Sequence, residues 1–242
     1  MNQTSLNRSF TTWSLLGFAA PSIIMMVFMS LYTIVDGIFI SRFVGSNALS
    51  SLNIVYPMIS VVIAIATMFA TGGNAIVSRY LGQGQEKQAR KALTEFVVIG
   101  VLISTVFAVL VILFEDPICR FLGANDELMA DCKAYLTISM LFAPACTLQT
   151  LFQSYFVTAS RPGLGLWLTA AAGILNAVLD YVLIVPIPLG IAGAALATGF
   201  GQLLPAAVGL IFFAIPHKTL RFCRFSFRPR EIRDACINGS SE

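Results

Sequence analysis

Long apolar intervals separated by short polar breaks are the main pattern of the 242-residue chain. Asp, Glu, Lys and Arg are absent from 9–35, 43–78, 96–114, 134–160 and 181–217. A helix that crosses a bilayer needs about 20 mostly apolar residues. Only helices and closed barrels satisfy their backbones in lipid, and these intervals lack the polar–apolar alternation of barrel strands. The pattern therefore predicts membrane-spanning helices.

Six spans are predicted, with breaks at polar turns or at turns rich in proline and glycine. Their bounds are 14–40, 50–73, 93–114, 134–158, 164–186 and 190–215. The first is too long for the apolar core of a signal peptide, which has about 7–15 residues. Residues 1–13 form a predicted N-terminal segment and 216–242 a predicted basic linker. The expected fold class is an all-α integral membrane protein.

Composition supports a lipid environment and excludes several function classes. The chain is 57% hydrophobic and 11% charged, whereas soluble domains carry roughly 25% charged residues. The sequence offers no nucleophile–base set and no phosphate-binding loop, so an enzyme is not expected. One histidine and no CxxC pair give no metal-ligand set. Of the five cysteines, Cys119 and Cys132 share a loop, and pairing between them stays open, although free thiols are favoured.

The basic residues predict the orientation of the chain. Of the 15 Lys and Arg residues, 12 fall on the side that carries both termini and 3 on the opposite side. Loops rich in Lys and Arg stay in the cytoplasm, so both termini are predicted to be cytoplasmic, with the chain in the plasma membrane. The basic tail is predicted to lie beside anionic lipid and not to bind nucleic acid.

Two carboxylates fall within the predicted spans, where such groups are costly and usually functional. Asp36 lies near the end of the first span and Asp180 near the end of the fifth. Asn176 lies one helical turn before Asp180 and on the same face. Thr198 lies eight residues into the inward-running sixth span. At 1.5 Å per residue, these four groups share a layer roughly 8–12 Å below the outer surface.

This polar layer has two interpretations. Two carboxylates, an amide oxygen and a hydroxyl suit a hard cation such as Na⁺, and a proton would also neutralise an acid. A structural hydrogen-bond cluster between helices is the alternative. Ion or proton coupling is favoured because there are two acids and no Lys or Arg within the spans to pair with them. Glu95, at the inner end of the third span, is expected to be structural.

Other polar and apolar positions are less specific. Asn53, Gln149, Gln153 and Gln202 either line a substrate cavity or join helices. Met29, with Met25, Met26 and Phe28, forms an apolar patch that suits packing or promiscuous binding. Pro21 predicts a kink in the first span, because proline removes a backbone hydrogen bond. In the sixth span, small residues at i, i+4 spacing, including Gly193 and Gly201, predict close helix contacts.

Several motifs resemble the multidrug and toxic compound extrusion (MATE) family, in particular its DinF-like prokaryotic branch. The first is LYTIVDGIFI at 31–40, preceded by Ala20-Pro21. GGNA at 72–75 and SRYLGQG at 78–84 resemble the branch after its second helix, and SRP at 160–162 resembles its turn after the fourth. NAVLD at 176–180 and GIAGAALAT at 190–198 resemble its fifth and sixth helices.

The resemblance implies a cation-driven antiporter, of the MOP superfamily, with two six-helix lobes. It implies that Asp36, Asp180, Asn176 and Thr198 form the cation site of the N-terminal lobe, with Tyr135 in the same network. The implied coupling ion is Na⁺ or H⁺, no cofactor is implied, and the expected cargo is bulky, amphiphilic and often cationic. The sequence departs from the family pattern in lacking a second lobe, and 238–242 resembles the start of a seventh helix.

The chain is accordingly expected to be the N-terminal half of a twelve-helix exporter. A second six-helix lobe or a second copy of the chain is the expected partner. Two alternatives stay open: a transporter for a specific metabolite or lipid-linked precursor, and a membrane fragment that does not transport.

Overall fold

The computed structural model describes residues 20, 23, 24, 27, 30, 31, 34, 36–215, 220–225 and 227–240. Within them, every regular element is helical. Helix α1 is continuous over 36–44 and ends in the π-helical turn Ile40–Val44. The remaining helices are α2 (Ser46–Gly82), α3 (Glu86–Leu113), α4 (Glu115–Phe121), α5 (Met129–Leu141), α6 (Ala143–Thr158), α7 (Pro162–Ile184), α8 (Ile191–Ala214) and α9 (Pro229–Gly239). The predicted kink at Pro21 and the predicted patch at Met25, Met26, Phe28 and Met29 lie outside the described residues.

Helices α2, α3, α7 and α8 are long and apolar enough to cross a membrane, and α5 with α6 forms a fifth, bent candidate. Most of the predicted first span lies outside the described residues. Large apolar side chains on the outer faces, such as Leu102, Val106 and Leu113 on α3, are exposed. Such a surface suits lipid, because hydrocarbon chains are as apolar as these side chains.

The predicted fourth span, 134–158, is divided at Phe142 into α5 and α6, which meet at 50°. Pro144 is the physical cause, because it has no N–H to donate to the carbonyl of Met140 and its ring crowds that carbonyl. The backbone continues around the bend, where the Phe142 N–H donates to Ile138 (3.3 Å) and the Phe142 carbonyl accepts from Cys146 (2.9 Å). The two halves therefore point in different directions.

Helices α2 and α3 extend beyond the predicted spans into sequence that was expected to be a polar loop. Only 83–85 separate Gly82 from Glu86. Gly84 has φ of 71°, a left-handed conformation that favours glycine. The length of an apolar interval corresponds to the hydrocarbon thickness of the membrane. The helix itself can be longer, because its polar ends extend into water.

Helix α2 is the centre of the bundle and packs against α3, α5, α6 and α9. Helix α8 packs against α5, α6 and α7. One apolar cluster lies towards α4 and includes Val55, Leu136 and Met140. A second lies towards α9, where Phe152 stacks on Phe213 with ring centroids 5.4 Å apart.

The contact between α7 and α8 depends on glycine, as the small-residue pattern predicts. A Cβ at Gly193 would lie 2.7 Å from the carbonyl oxygen of Leu183. A Cβ at Gly201 would lie 3.2 Å from the carbonyl oxygen of Ala172 and 3.3 Å from the Asn176 Cβ. These glycines allow the two backbones to approach closely beside Asn176 and Asp180.

The described part of the predicted linker, residues 220–225 and 227–240, packs against the bundle. We call this part the tail segment, and it includes α9. Leu220 and Ala235 are buried, and a Cβ at Gly72 of α2 would overlap the carbonyl oxygen of Ala235. Close backbone contact of this kind needs small residues rather than a long apolar run, so hydropathy alone did not reveal it.

All five cysteines are free thiols. Cys119 and Cys132 are both buried, but they are not bonded to each other. Burial raises the pKa of the Cys119 thiol to about 11. The structure therefore agrees with the expectation of free thiols.

Candidate cation and substrate site

Asp36 lies in α1, four residues before the π-helical turn Ile40–Val44. The turn closes through the Gly45 N–H, which donates to the Ile40 carbonyl at 3.0 Å. Gly45 has φ of 121°, a conformation that residues with a side chain rarely adopt. π-Helical turns within helices are rare and often occur at functional sites. Asp36 is 9% exposed, so its carboxylate is nearly enclosed by the bundle.

Helix α7 contributes Asn176 and Asp180, one turn apart on the buried face. Asp180 is completely buried. The side chains of Asp36 and Asp180 are close enough to interact electrostatically. The two acids therefore form a like-charged pair between α1 and α7.

Helix α8 adds Thr198 to the pair. The Asn176 amide donates from Nδ2 to Thr198 Oγ1 at 3.3 Å. This bond leaves the Asn176 Oδ1 oxygen buried without a hydrogen-bond partner among the described residues. The four groups predicted to share a layer are thus brought together by α1, α7 and α8, which we call the acid cluster.

The acid cluster contains more hydrogen-bond acceptor oxygens and negative charges than the described donors and positive charges around it can pair. Asp36 Oδ1 and both carboxylate oxygens of Asp180 also lack hydrogen-bond partners within the part of the chain that the structure describes. The described ion pairs include no Lys or Arg bonded to either acid. Buried charges are stable only when they are paired or neutralised. The cluster therefore has the chemistry of a site for a hard cation or a proton.

A cavity of about 330 Å³ connects to the acid cluster through Asp36. We call it the Asp36 cavity. Tyr135, Thr198 and Gln202 also line it. Asp180 is completely buried and does not line this cavity. An ion in the cavity would therefore contact Asp36 and Thr198 directly, but not Asp180.

The apolar part of the Asp36 cavity comes mainly from α2. Its members there are Leu49, Leu52, Tyr56, Ile59 and Ile63. Sequence reasoning missed Tyr56, which lines the cavity with an aromatic ring next to Pro57 of the same helix. An aromatic residue beside a proline in a span was the available signal. The mixture of acid, amide and apolar groups suits an amphiphilic ligand.

The predicted cavity amides differ in position. Gln149 and Gln202 line a small cavity of about 10 Å³ with Asn176 and Thr198. Gln153 donates from Nε2 to Thr169 Oγ1 at 3.1 Å, which joins α6 to α7. Asn53 is exposed on α2 and does not line the Asp36 cavity. The structure thus brings Gln202 to both cavities, Gln149 to the smaller one, and the other two amides elsewhere.

Similarity to known proteins shows the family of this chain. A family model described as MatE matches residues 21–182. The chain belongs to the MatE family. Its curated relatives include the multidrug export protein MepA of Staphylococcus saprophyticus, which is 27% identical over 197 residues, 81% of this chain and 44% of MepA. MepA from a Staphylococcus aureus strain is 26% identical over 201 residues, 83% of this chain and 44% of its own length.

Solved MATE structures share the fold of this chain. A MOP superfamily transporter from Pyrococcus furiosus superposes with a TM-score of 0.85 at 19% identity, over 92% of this chain and 50% of that one. An outward-facing MATE transporter of the MOP superfamily gives a TM-score of 0.84 at 19% identity, over 93% and 51%. The MATE chain described here is a multi-pass membrane protein that spans about half the length of these relatives.

Proposed function

We propose that this chain forms the N-terminal lobe of a cation-driven MATE antiporter that exports amphiphilic or cationic compounds. The acid cluster carries the proposal, because four of its buried oxygens lack partners among the described residues. The relatives named multidrug export protein MepA support the choice of cargo. Membership of the MatE family supports transport rather than enzymatic catalysis.

The acid cluster supplies a mechanism for coupling. A Na⁺ ion or a proton that binds Asp36 and Asp180 removes the repulsion between two buried carboxylates, whereas its release restores that repulsion. The two states favour different positions of α1 relative to α7. Cargo and cation then oppose each other because each binds one of the two positions better.

Both coupling ions fit the same oxygens. Na⁺ would take carboxylate oxygens from Asp36 and Asp180 and the amide oxygen of Asn176, all of which lack a hydrogen-bond partner in the described residues. A proton would instead bridge the two acids. The contributions of Na⁺ and H⁺ to transport are measured separately, by imposing either a Na⁺ gradient alone or a pH gradient alone.

The second half of the carrier is proposed to be another six-helix lobe or a second copy of this chain. The half-length match to MATE chains supports this part of the proposal. Cross-linking in native membranes distinguishes the two sources, because a second copy gives a homodimer band of the 26.1 kDa chain. A larger carrier that contains the chain gives a single longer polypeptide instead.

The chain is proposed to lie in the plasma membrane with both termini in the cytoplasm. Arg120 and Arg233 are 65% and 76% exposed and lie on opposite predicted sides. We expect a membrane-impermeant maleimide added to intact spheroplasts to label Arg120→Cys and not Arg233→Cys, with Cys223 and Cys236 replaced by serine. The opposite pattern would reverse the orientation.

Drug efflux from membrane vesicles tests the proposed function. In vesicles that contain the two-lobe carrier, an imposed Na⁺ or pH gradient should drive transport of several structurally unrelated cationic dyes. Each dye should also compete with the others, because a shared apolar cavity binds them. Transport of one metabolite or lipid-linked precursor without dye transport would favour the alternative cargo, and no gradient-driven transport of any dye would contradict the proposal.

A further inference from the structure

At the bend between α5 and α6, the aromatic ring of Phe142 packs against Gly199, next to the acid cluster. The Phe142 ring lies against the backbone of Gly199, where a Cβ would overlap ring atoms Cδ2 and Cγ. The ring is also 5.5 Å, centroid to centroid, from Phe200 in an edge-on arrangement. Gly199 directly follows Thr198 of the acid cluster. The bend and the cluster therefore meet at adjacent residues of α8.

The same contact borders a small cavity beside the acid cluster. Phe142, Gly199, Tyr135 and Thr198 line this space of about 40 Å³, which has room for a few water molecules. Tyr135 lies on α5, two turns before the bend, and it also lines the Asp36 cavity. The angle of α5 thus determines where Tyr135 lies relative to Thr198.

We propose that Phe142 and Gly199 are positioning residues for the cation site. Packing of the Phe142 ring against Gly199 fixes the angle between α5 and α6. This angle keeps Tyr135 and Thr198 on opposite sides of one cavity. Neither residue contacts the ion. This inference rests on the proposed binding of a cation at Asp36 and Asp180.

Helix α8 provides a matched control for the contact. A Cβ at Gly209 would overlap the ring of Phe152 in the same manner. Gly209 lies ten residues after Gly199, about 15 Å along the helix. Phe152 and Gly209 belong to the aromatic packing near the tail segment and line neither the Asp36 cavity nor the 40 Å³ cavity. A substitution there perturbs packing without reaching the cation site.

The test measures the cation-titration midpoint of the full 242-residue chain in lipid nanodiscs. The probes are NaCl at constant ionic strength and H⁺, and the readout is the carboxylate signal in infrared difference spectra. We expect Gly199→Ala to raise the concentration of the effective cation at the midpoint by about 10- to 100-fold, the loss typical when a residue that orients a ligand is changed. Gly209→Ala should leave the midpoint unchanged, and Phe142→Leu added to Gly199→Ala should restore it.

The outcomes separate this inference from the function on which it rests. If the unchanged chain shows no cation response, the proposed cation site fails. If the unchanged chain responds and Gly199→Ala has the same midpoint, or if Gly209→Ala shifts it equally, only the positioning role of Phe142 and Gly199 is overturned. Should Gly199→Ala not fold, Phe142→Ala carries the test, because it removes the ring without adding bulk and should shift the midpoint in the same direction.

Discussion

Asp180→Asn is expected to reduce gradient-driven efflux by the two-lobe carrier to the level of vesicles without it. Asp180 is fully buried and interacts electrostatically with Asp36. One unit charge at 4 Å from a cation contributes about 4 kcal/mol at an effective dielectric constant of 20, which corresponds to roughly 1,000-fold in cation affinity. Asparagine keeps the shape of the side chain but removes this charge. The measurement is the initial rate of dye efflux under an imposed Na⁺ or pH gradient.

Asp36→Asn should have the same effect, because both acids hold the same ion. Asp126→Asn is the control, since the Asp126 side chain is 89% exposed and pairs only with Arg120 among the described ion pairs. This control should retain the efflux rate of the unchanged carrier. Efflux at the normal rate in both Asp36→Asn and Asp180→Asn would remove the acid cluster from the coupling mechanism.

Arg228→Ala is expected to lower stability more than any substitution at the surface. Glu95 is fully buried in α3, and its Oε2 accepts from Arg228 Nε at 3.2 Å, while its Oε1 accepts from the Arg228 backbone N–H. Removing one partner of a buried pair leaves an uncompensated charge, at a cost of about 3 kcal/mol when the partner is partly exposed. For a chain of this length we expect the melting temperature to fall by roughly 6–12 °C.

Thermal unfolding of purified variants in one detergent measures this loss. Arg233→Ala is the matched control, because Arg233 is 76% exposed and lies 3.9 Å from Asp234. It should change the free energy of unfolding by less than about 0.5 kcal/mol. Glu95→Gln added to Arg228→Ala should recover much of the stability, since no buried charge is then left unpaired. Equal melting temperatures for Arg228→Ala and Arg233→Ala would contradict the structural importance of the pair.

The pair between Glu95 and Arg228 also explains how the tail segment is held. Arg228 Nη1 contacts Glu231 at 2.5 Å, and Tyr80 donates from its hydroxyl to Glu231 at 2.8 Å. Thr94 accepts from the Cys223 backbone N–H at 3.0 Å. These bonds fasten the tail to the ends of α2 and α3. Glu95 was expected to be structural, and this network agrees with that expectation.

The acid cluster was predictable because it depends only on helical periodicity and on depth in the membrane. Asn176 and Asp180 are one turn apart in any helix, and spans of predicted direction bring residues of equal predicted depth into one layer. Glu95 had no such constraint, because its partner Arg228 is 133 residues away along the chain. The spacing of charges along the sequence therefore indicated Glu95 as an acid at the end of a span, but it did not indicate Arg228 as its partner.

The bend at Phe142 shows a different limit of sequence reasoning. No charged residue falls between 134 and 158, so the pattern predicts a single span there. Pro144 was the available signal for a break, but the bend angle depends on the contact of Phe142 with Gly199 from another helix. The position of Tyr135 depends on that angle. Local propensity thus indicates where a helix breaks, whereas tertiary packing determines its direction.

The central claim is that Asp36 and Asp180 bind the coupling cation. Infrared difference spectroscopy of the 242-residue chain in nanodiscs tests it most directly, because carboxylate bands change when an ion or a proton binds. We predict that the unchanged chain gives a carboxylate component on adding Na⁺ or on lowering the pH, above the background from the other ten acidic side chains. This component should be missing in both Asp36→Asn and Asp180→Asn and retained in Asp126→Asn. A cation-dependent signal that is unchanged in both cluster variants, or no signal in the unchanged chain, would contradict the claim.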